Sequence, residues 1–116
     1  MSMSSALEGF SKVEVRLPRL VELCKEKLSA EQVWLFGSRA RGDHRDDSDW
    51  DILAVVHDEA PDEVMDPVRI WKVGRESGVL TDLLTVKMSE FIEAQGSVTT
   101  ISHIARREGV RLDQKF

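Results

Sequence analysis

Three short apolar runs, each bounded by turn residues, constrain this chain more than anything else in it. Gln32–Phe36 (Gln-Val-Trp-Leu-Phe) stops at Gly37, Trp50–His57 reads Trp-Asp-Ile-Leu-Ala-Val-Val-His, and Val79–Val86 reads Val-Leu-Thr-Asp-Leu-Leu-Thr-Val. Runs of this length, rich in β-branched and aromatic residues, read as buried strands. The segments around them carry helical spacing instead. Leu17, Leu20, Val21, Cys24 and Leu28 fall at offsets 0, 3, 4, 7 and 11, one face of a helix that tolerates Pro18 in its first turn. Pro61–Glu76 places Val64, Met65, Val68, Trp71 and Lys72 at helical intervals. That spacing predicts a second helix starting near Asp58 or Asp62, with Pro67 placed to kink it and Gly74 or Gly78 near its end. Ser89–Ala94 and Ser97–Arg107 predict two more helices, with Ser89 and Ser97 as N-caps and Gly109 closing the second. Val110–Leu112 suits a last short strand. Strands alternating with helices place the chain in the α/β (or α+β) class, with one short mixed sheet and helices packed against it.

A chain of 116 residues, 41% hydrophobic and 32% charged, suits one globular domain with one modest core. Residues 1–14 are expected to form a tail and residues 15–113 the domain, and no pattern places Val13 and Val15. No apolar run approaches the ~20 residues of a membrane span. The first ten residues lack the basic and apolar regions of a secretory signal. The single cysteine, Cys24, forms neither an internal disulfide nor a multi-thiolate zinc site, and the chain is read as cytoplasmic. A net charge of −5 argues against direct nucleic-acid binding but leaves room for a local basic pocket.

The chemistry concentrates in Gly37-Ser38-Arg39-Ala40-Arg41-Gly42 and, with ten residues between Ser38 and Asp49, in Asp49-Trp50-Asp51. A buried strand delivers the chain to Gly37, where glycine allows a sharp turn and close approach of a ligand. Ser38 then opens a turn with free N–H groups and a hydroxyl, an arrangement suited to phosphate. Arg39 and Arg41 stand either as phosphate contacts or as a solvated helix face. Asp49 and Asp51 are two apart at a strand start, so both carboxylates project to one side, Cα atoms about 6.5–7 Å apart, with Trp50 and Ile52 on the packed side. Two such carboxylates repel unless a cation lies between them, and Mg²⁺ is the natural one beside phosphates. Asp82, inside the third apolar run, is costly there unless exposed or paired. If that run neighbours the second, Asp82 joins the pair, and the three acids facing a phosphate turn suit metal-assisted nucleotidyl transfer.

Other readings of these letters are weaker. A P-loop would follow Gly42 with Lys and Ser or Thr, where this chain has Asp43-His44. Arg41-Gly42-Asp43 is an adhesion tripeptide only by spelling. Cys24, Trp34 and Trp71 read as core residues, and His44, His57 and His103 as scattered surface residues. Asp43, Arg45, Asp46 and Asp47 form a solvated loop that flanks the site.

Strand, Gly-Ser, ten residues, Asp-x-Asp and a third acidic strand resemble the nucleotidyltransferase superfamily that includes DNA polymerase beta. The string Phe36-Gly37-Ser38-Arg39-Ala40-Arg41-Gly42 resembles the minimal nucleotidyltransferase (MNT) proteins within it. Arg107-Glu108-Gly109-Val110-Arg111-Leu112 is similar to that family's ending, with Asp113 where members often have an aromatic residue. The resemblance implies the nucleotidyltransferase fold. It implies Gly37 and Ser38 on the triphosphate of ATP or another NTP, and Asp49 and Asp51 holding two Mg²⁺ ions. It implies Asp82 completing one metal site and helping to deprotonate the attacking hydroxyl, with pyrophosphate leaving. It implies a helical HEPN-domain partner in a toxin–antitoxin pair, the MNT member acting as antitoxin by adenylylation of a toxin tyrosine. A hetero- or homo-oligomer follows, because a chain this short supplies little acceptor surface. Two alternatives stand beside this: a transferase acting on a small molecule such as an aminoglycoside, and a non-catalytic toxin-binding module. Intact Asp49, Asp51 and Asp82 argue against the second.

Overall fold

In the computed structural model, which describes residues 16–115, one strand is buried along nearly its whole length, covered by protein on both of its faces. This is β2, Trp50–Val56, in which six of the seven residues are buried. It pairs antiparallel with β1 (Ala30–Phe36) and parallel with β3 (Thr81–Lys87). A two-residue β4, Val110–Arg111, closes the far side of β1, so the sheet order is β3-β2-β1-β4. The mixed sheet agrees with the expectation. The expected tail and the positions of Val13 and Val15 lie outside the described residues.

Alternation along β2 divides the core in two. Ile52, Ala54 and Val56, with Val33 and Leu35 of β1, pack under α1 (Leu17–Leu28) and Val73 of α3 (Pro67–Ser77). Leu53 and Val55 face the other way, against Phe91 of α4 (Met88–Glu93) and Ala105 of α5 (Ile101–Glu108). A strand covered on both faces reads as a continuous apolar run. α1 forms where its spacing predicts, and burial pushes the Cys24 thiol up to about 12, which makes it an inert core group. Ser29 ends the helix in the left-handed region, φ 57°, and its N–H donates to the Cys24 carbonyl.

Four expectations are corrected. Pro61–Glu76 is not one kinked helix. A 3₁₀ turn at Asp62–Met65 is followed by α3, whose N-cap is Asp66, with Pro67 in the first turn. Proline's missing N–H costs nothing there, so it starts a helix rather than bending one. The caps also differ. α4 starts at Met88, and the Ser89 N–H donates to Asp58 Oδ1 at 2.9 Å. α5 is capped by Thr100, which accepts from the His103 N–H, rather than by Ser97. Trp71 is 60% exposed and is not a core residue, whereas Trp34, half-buried, packs against the second core cluster with its ring centre 5.9 Å from that of Phe91. Trp71 lies on the outer side of α3, with the Arg75 guanidinium 5.2 Å from its ring centre. Of the histidines, His57 is exposed, His103 is half-buried with Nδ1 2.9 Å from the Gln95 carbonyl, and His44 is half-buried. The His44 Nδ1 itself is buried without a partner among the described residues.

The chain's ending is held by charge. Asp113 accepts from the Val33 N–H of β1 at 2.9 Å and from Arg111 Nε and Nη2 at 2.9 and 2.5 Å. Burial pushes its carboxyl up, but the hydrogen bonds from Arg111 and Val33 outweigh burial and hold it below the usual carboxylate range. Asp113→Ala leaves a β1 amide without its acceptor and is expected to cost about 1–3 kcal/mol in urea denaturation at pH 7. Because the folded value is depressed, this stabilisation is complete above the unfolded value of about 3.9 and fades as pH falls through the folded one. Wild type and variant should therefore converge in stability in that acidic window.

Candidate active site

β1 ends at Phe36, and Gly37 turns the chain into a four-residue helix, α2 (Ser38–Arg41). Gly37 has φ 75° and ψ −156°, a region open essentially to glycine alone. A Cβ placed there would lie 2.2 Å from Asp51 Oδ2. The glycine is thus needed twice: for the turn, and because the Asp51 carboxylate packs on its backbone. The Ala40 and Arg41 amides donate to the Gly37 carbonyl, both at 3.0 Å. Those of Ser38 and Arg39 belong to the first turn, whose N–H groups have no partner within a helix.

Register then gathers the acids. Asp51 pairs across β1–β2 with Phe36 and across β2–β3 with Asp82. Trp50 and Ile52 are buried, as their alternation with Asp51 requires. Trp50 is pinned to the start of β3: its N–H donates to the Leu80 carbonyl at 2.9 Å and its carbonyl accepts from Thr81 Oγ1 at 2.8 Å. Asp49 stands just before the strand and is exposed, as is Asp82, whereas Asp51 is half-buried. Asp51 carries the strain of the group. Burial, then Asp82, then Asp49 push its carboxyl up, and Arg41 partly offsets them.

Among the described residues, no three Asp, Glu, His or Cys side chains are gathered so as to hold a metal ion by themselves. Mg²⁺ does not require that: it keeps several waters and takes one or two carboxylates plus substrate phosphates. A half-buried carboxylate raised by two acidic neighbours is the donor chemistry that such a cation relieves, so the residues fit it.

The two arginines are already partnered. Arg41 binds Asp43 at 3.2 Å and Glu108, at the end of α5, at 3.1 Å. Arg39 binds the carbonyls of Ser48 and Asp46 and stacks on Trp50. Thr81 and Glu108 were not singled out from the sequence. Thr81 is adjacent to Asp82 and so was within reach, whereas Glu108 lies 67 residues from Arg41 and no local signal joins them. Asp82 also lines an open groove between α3 and β3, walled by Ile70, Trp71, Leu80 and Leu84.

The sequence profile of the nucleotidyltransferase domain family matches residues 17–106. Three solved structures are similar in fold. A toxin–antitoxin structure with AMP-PNP is 20% identical with a TM-score of 0.54, covering 83% of this chain and 71% of that one. A Sulfolobus solfataricus protein assigned as a nucleotidyltransferase is 25% identical with a TM-score of 0.52, covering 93% and 86%. A mutant of the toxin–antitoxin pair MntA–HpeT, with two aspartates two positions apart changed to glutamate, is 18% identical with a TM-score of 0.51, covering 83% and 71%. No curated protein matches the chain.

Gly37→Ala forces a side chain into the Asp51 carboxylate and into a glycine-only backbone region. It is expected to lower stability by about 1–3 kcal/mol, read from urea denaturation, and by more than Gly42→Ala, which shares the backbone strain of a positive φ (92°) but has nothing within 4 Å of its Cβ to clash with.

Proposed function

The chain belongs to the nucleotidyltransferase domain family, and from that premise we propose that it transfers a nucleotidyl group, from ATP or another NTP, to a hydroxyl of a partner protein. The observation that carries this reading is the Asp51–Asp82 register pair, placed against the Gly37 turn with Asp49 beside it. In this reading Gly37 and Ser38 receive the triphosphate through backbone N–H groups and the Ser38 hydroxyl. Asp49 and Asp51 would hold Mg²⁺ ions, with Asp82 completing one site. When bound, Mg²⁺ would neutralise phosphate charge and stabilise the departing pyrophosphate.

The remaining work falls to the chain. The acceptor oxygen bonds to the α-phosphorus while the bond from that phosphorus to the β-phosphate oxygen breaks, and pyrophosphate leaves. Asp82, exposed at the mouth of the β3 groove, takes the hydroxyl proton. Arg41, about half-exposed and close enough to lower Asp51, is placed to meet phosphate charge by releasing Asp43 or Glu108. The AMP-PNP in one structural neighbour supports an adenine nucleotide. The paired aspartates altered in another support Asp49 and Asp51 as the working pair. Both neighbours are toxin–antitoxin structures, which supports an antitoxin of the MNT type; a helical HEPN-domain toxin as the acceptor rests on the family resemblance of the sequence alone.

Asp49→Asn with Asp51→Asn is expected to lower Mg²⁺-dependent transfer from labelled ATP by at least about 10²-fold with an unchanged circular dichroism spectrum. Transfer at the wild-type rate would remove the two aspartates from the reaction. Co-expression with the product of the adjacent reading frame should yield a partner heavier by one or more nucleotidyl groups in intact-mass spectra. A partner that stays unmodified with every NTP would leave nucleotidyl transfer standing and remove the protein acceptor.

A further inference from the structure

Arg39 sits two residues beyond Gly37, yet its guanidinium reaches back across the loop to the other half of the site. Nε and Nη2 donate to the Ser48 carbonyl at 3.2 and 2.9 Å, and Nη2 also donates to the Asp46 carbonyl at 3.1 Å. The guanidinium carbon lies 4.5 Å from the centre of the Trp50 ring. We propose that Arg39 is a positioning residue, which fixes Asp49 relative to the Gly37–Ser38 turn and does not contact the nucleotide.

The argument is one of connectivity. Asp49 precedes β2 and is exposed, so the sheet's own ladder does not orient it. Arg39 holds the residue before it by the backbone carbonyl and the residue after it by the ring. Trp50 is itself fixed, buried and bonded to Leu80 and Thr81. The loop is further shaped by a turn in which the Ser48 N–H donates to the Arg45 carbonyl at 3.1 Å and the Arg45 N–H to Ser48 Oγ at 2.9 Å. One planar cation therefore ties the phosphate turn to the segment that presents the acid pair. Serving phosphate would require breaking these bonds and releasing Asp49. Lysine cannot substitute, because a point charge on a flexible stem neither bridges two carbonyls in a plane nor stacks in the same way. The inference rests on the proposed role of Asp49, and displacement by about 1 Å at a reacting centre can cost about 10²-fold in rate.

The test uses the full chain and its Arg39→Lys and Arg39→Gln variants, with hydrogen exchange and calorimetric titration of AMP-PNP in Mg²⁺. The expected result is at least tenfold faster exchange of the amides from Ser48 to Asp51 in both variants. Affinity for AMP-PNP should stay within about threefold of wild type, while turnover on the acceptor falls about 10²-fold and KM for ATP changes little. Unchanged exchange in both variants overturns the proposal. So does a tenfold or larger loss of AMP-PNP affinity in Arg39→Gln that Arg39→Lys restores, since a phosphate contact needs only the charge. The exchange measurement needs no activity. If wild type binds no nucleotide, the proposed function fails while the exchange result still decides whether Arg39 orders the segment around Asp49.

Discussion

A strand covered on both faces can carry a carboxylate only where the cover ends, and β2 is such a strand. Six of its seven residues are buried, three under α1 and α3 and two under α4 and α5, with Trp50 at its start packed in the first cluster. Asp51 lies at the N-terminal end, on the side of the sheet where Leu53 and Val55 lie deeper in. The antiparallel hydrogen bonding of β1 brings Phe36, and so Gly37, to that end, and the parallel pairing of β3 brings Asp82 there. Three separate parts of the chain thus meet at one strand end, because a single buried strand is their common neighbour.

The electrostatics of that meeting point follow from burial. Asp51 is half-buried and has Asp82 and Asp49 as acidic neighbours, so its charged form is disfavoured in the absence of a cation. Around it the arginines are distributed rather than free. Arg39 stitches the loop before β2, and Arg41 bridges Asp43 to the end of α5. Asp113 accepts two Arg111 hydrogen bonds and anchors the segment to the Val33 amide. Charge pairing at the end of the chain here does the work of holding β4 against β1.

Legibility varied with the physical origin of each feature. The first helix and the three long strands were legible because each buries a face or a whole run, and burial writes itself as periodicity. The helix starts after β2 were less so. Ser89 and Ser97 have cap chemistry, but the N-cap positions fall two residues before Ser89, at Lys87, and three residues after Ser97, where Thr100 accepts the His103 amide. Pro67 could bend a helix or begin one, and the Asp66 cap selected the second. Trp71 has core character in its side chain alone. Its place on α3 turned it outward, where Arg75 lies against the ring.

At the candidate site, Gly37, Ser38, Asp49 and Asp51 stand out from residue type and spacing alone, because a turn that only glycine allows and a strand period of two are local properties. The class of chemistry follows from them. Whether Asp82 belonged depended on which strand lay beside β2 and in what register, and strand order is a long-range property that no local pattern encodes. The same holds for Arg39 and Arg41. Sequence placed both beside the turn with their charge undecided between phosphate and solvent. Only the fold brought the Ser48 carbonyl and the Trp50 ring to one and Glu108 to the other, because those partners arrive from loop, strand and helix ends that packing alone brings together.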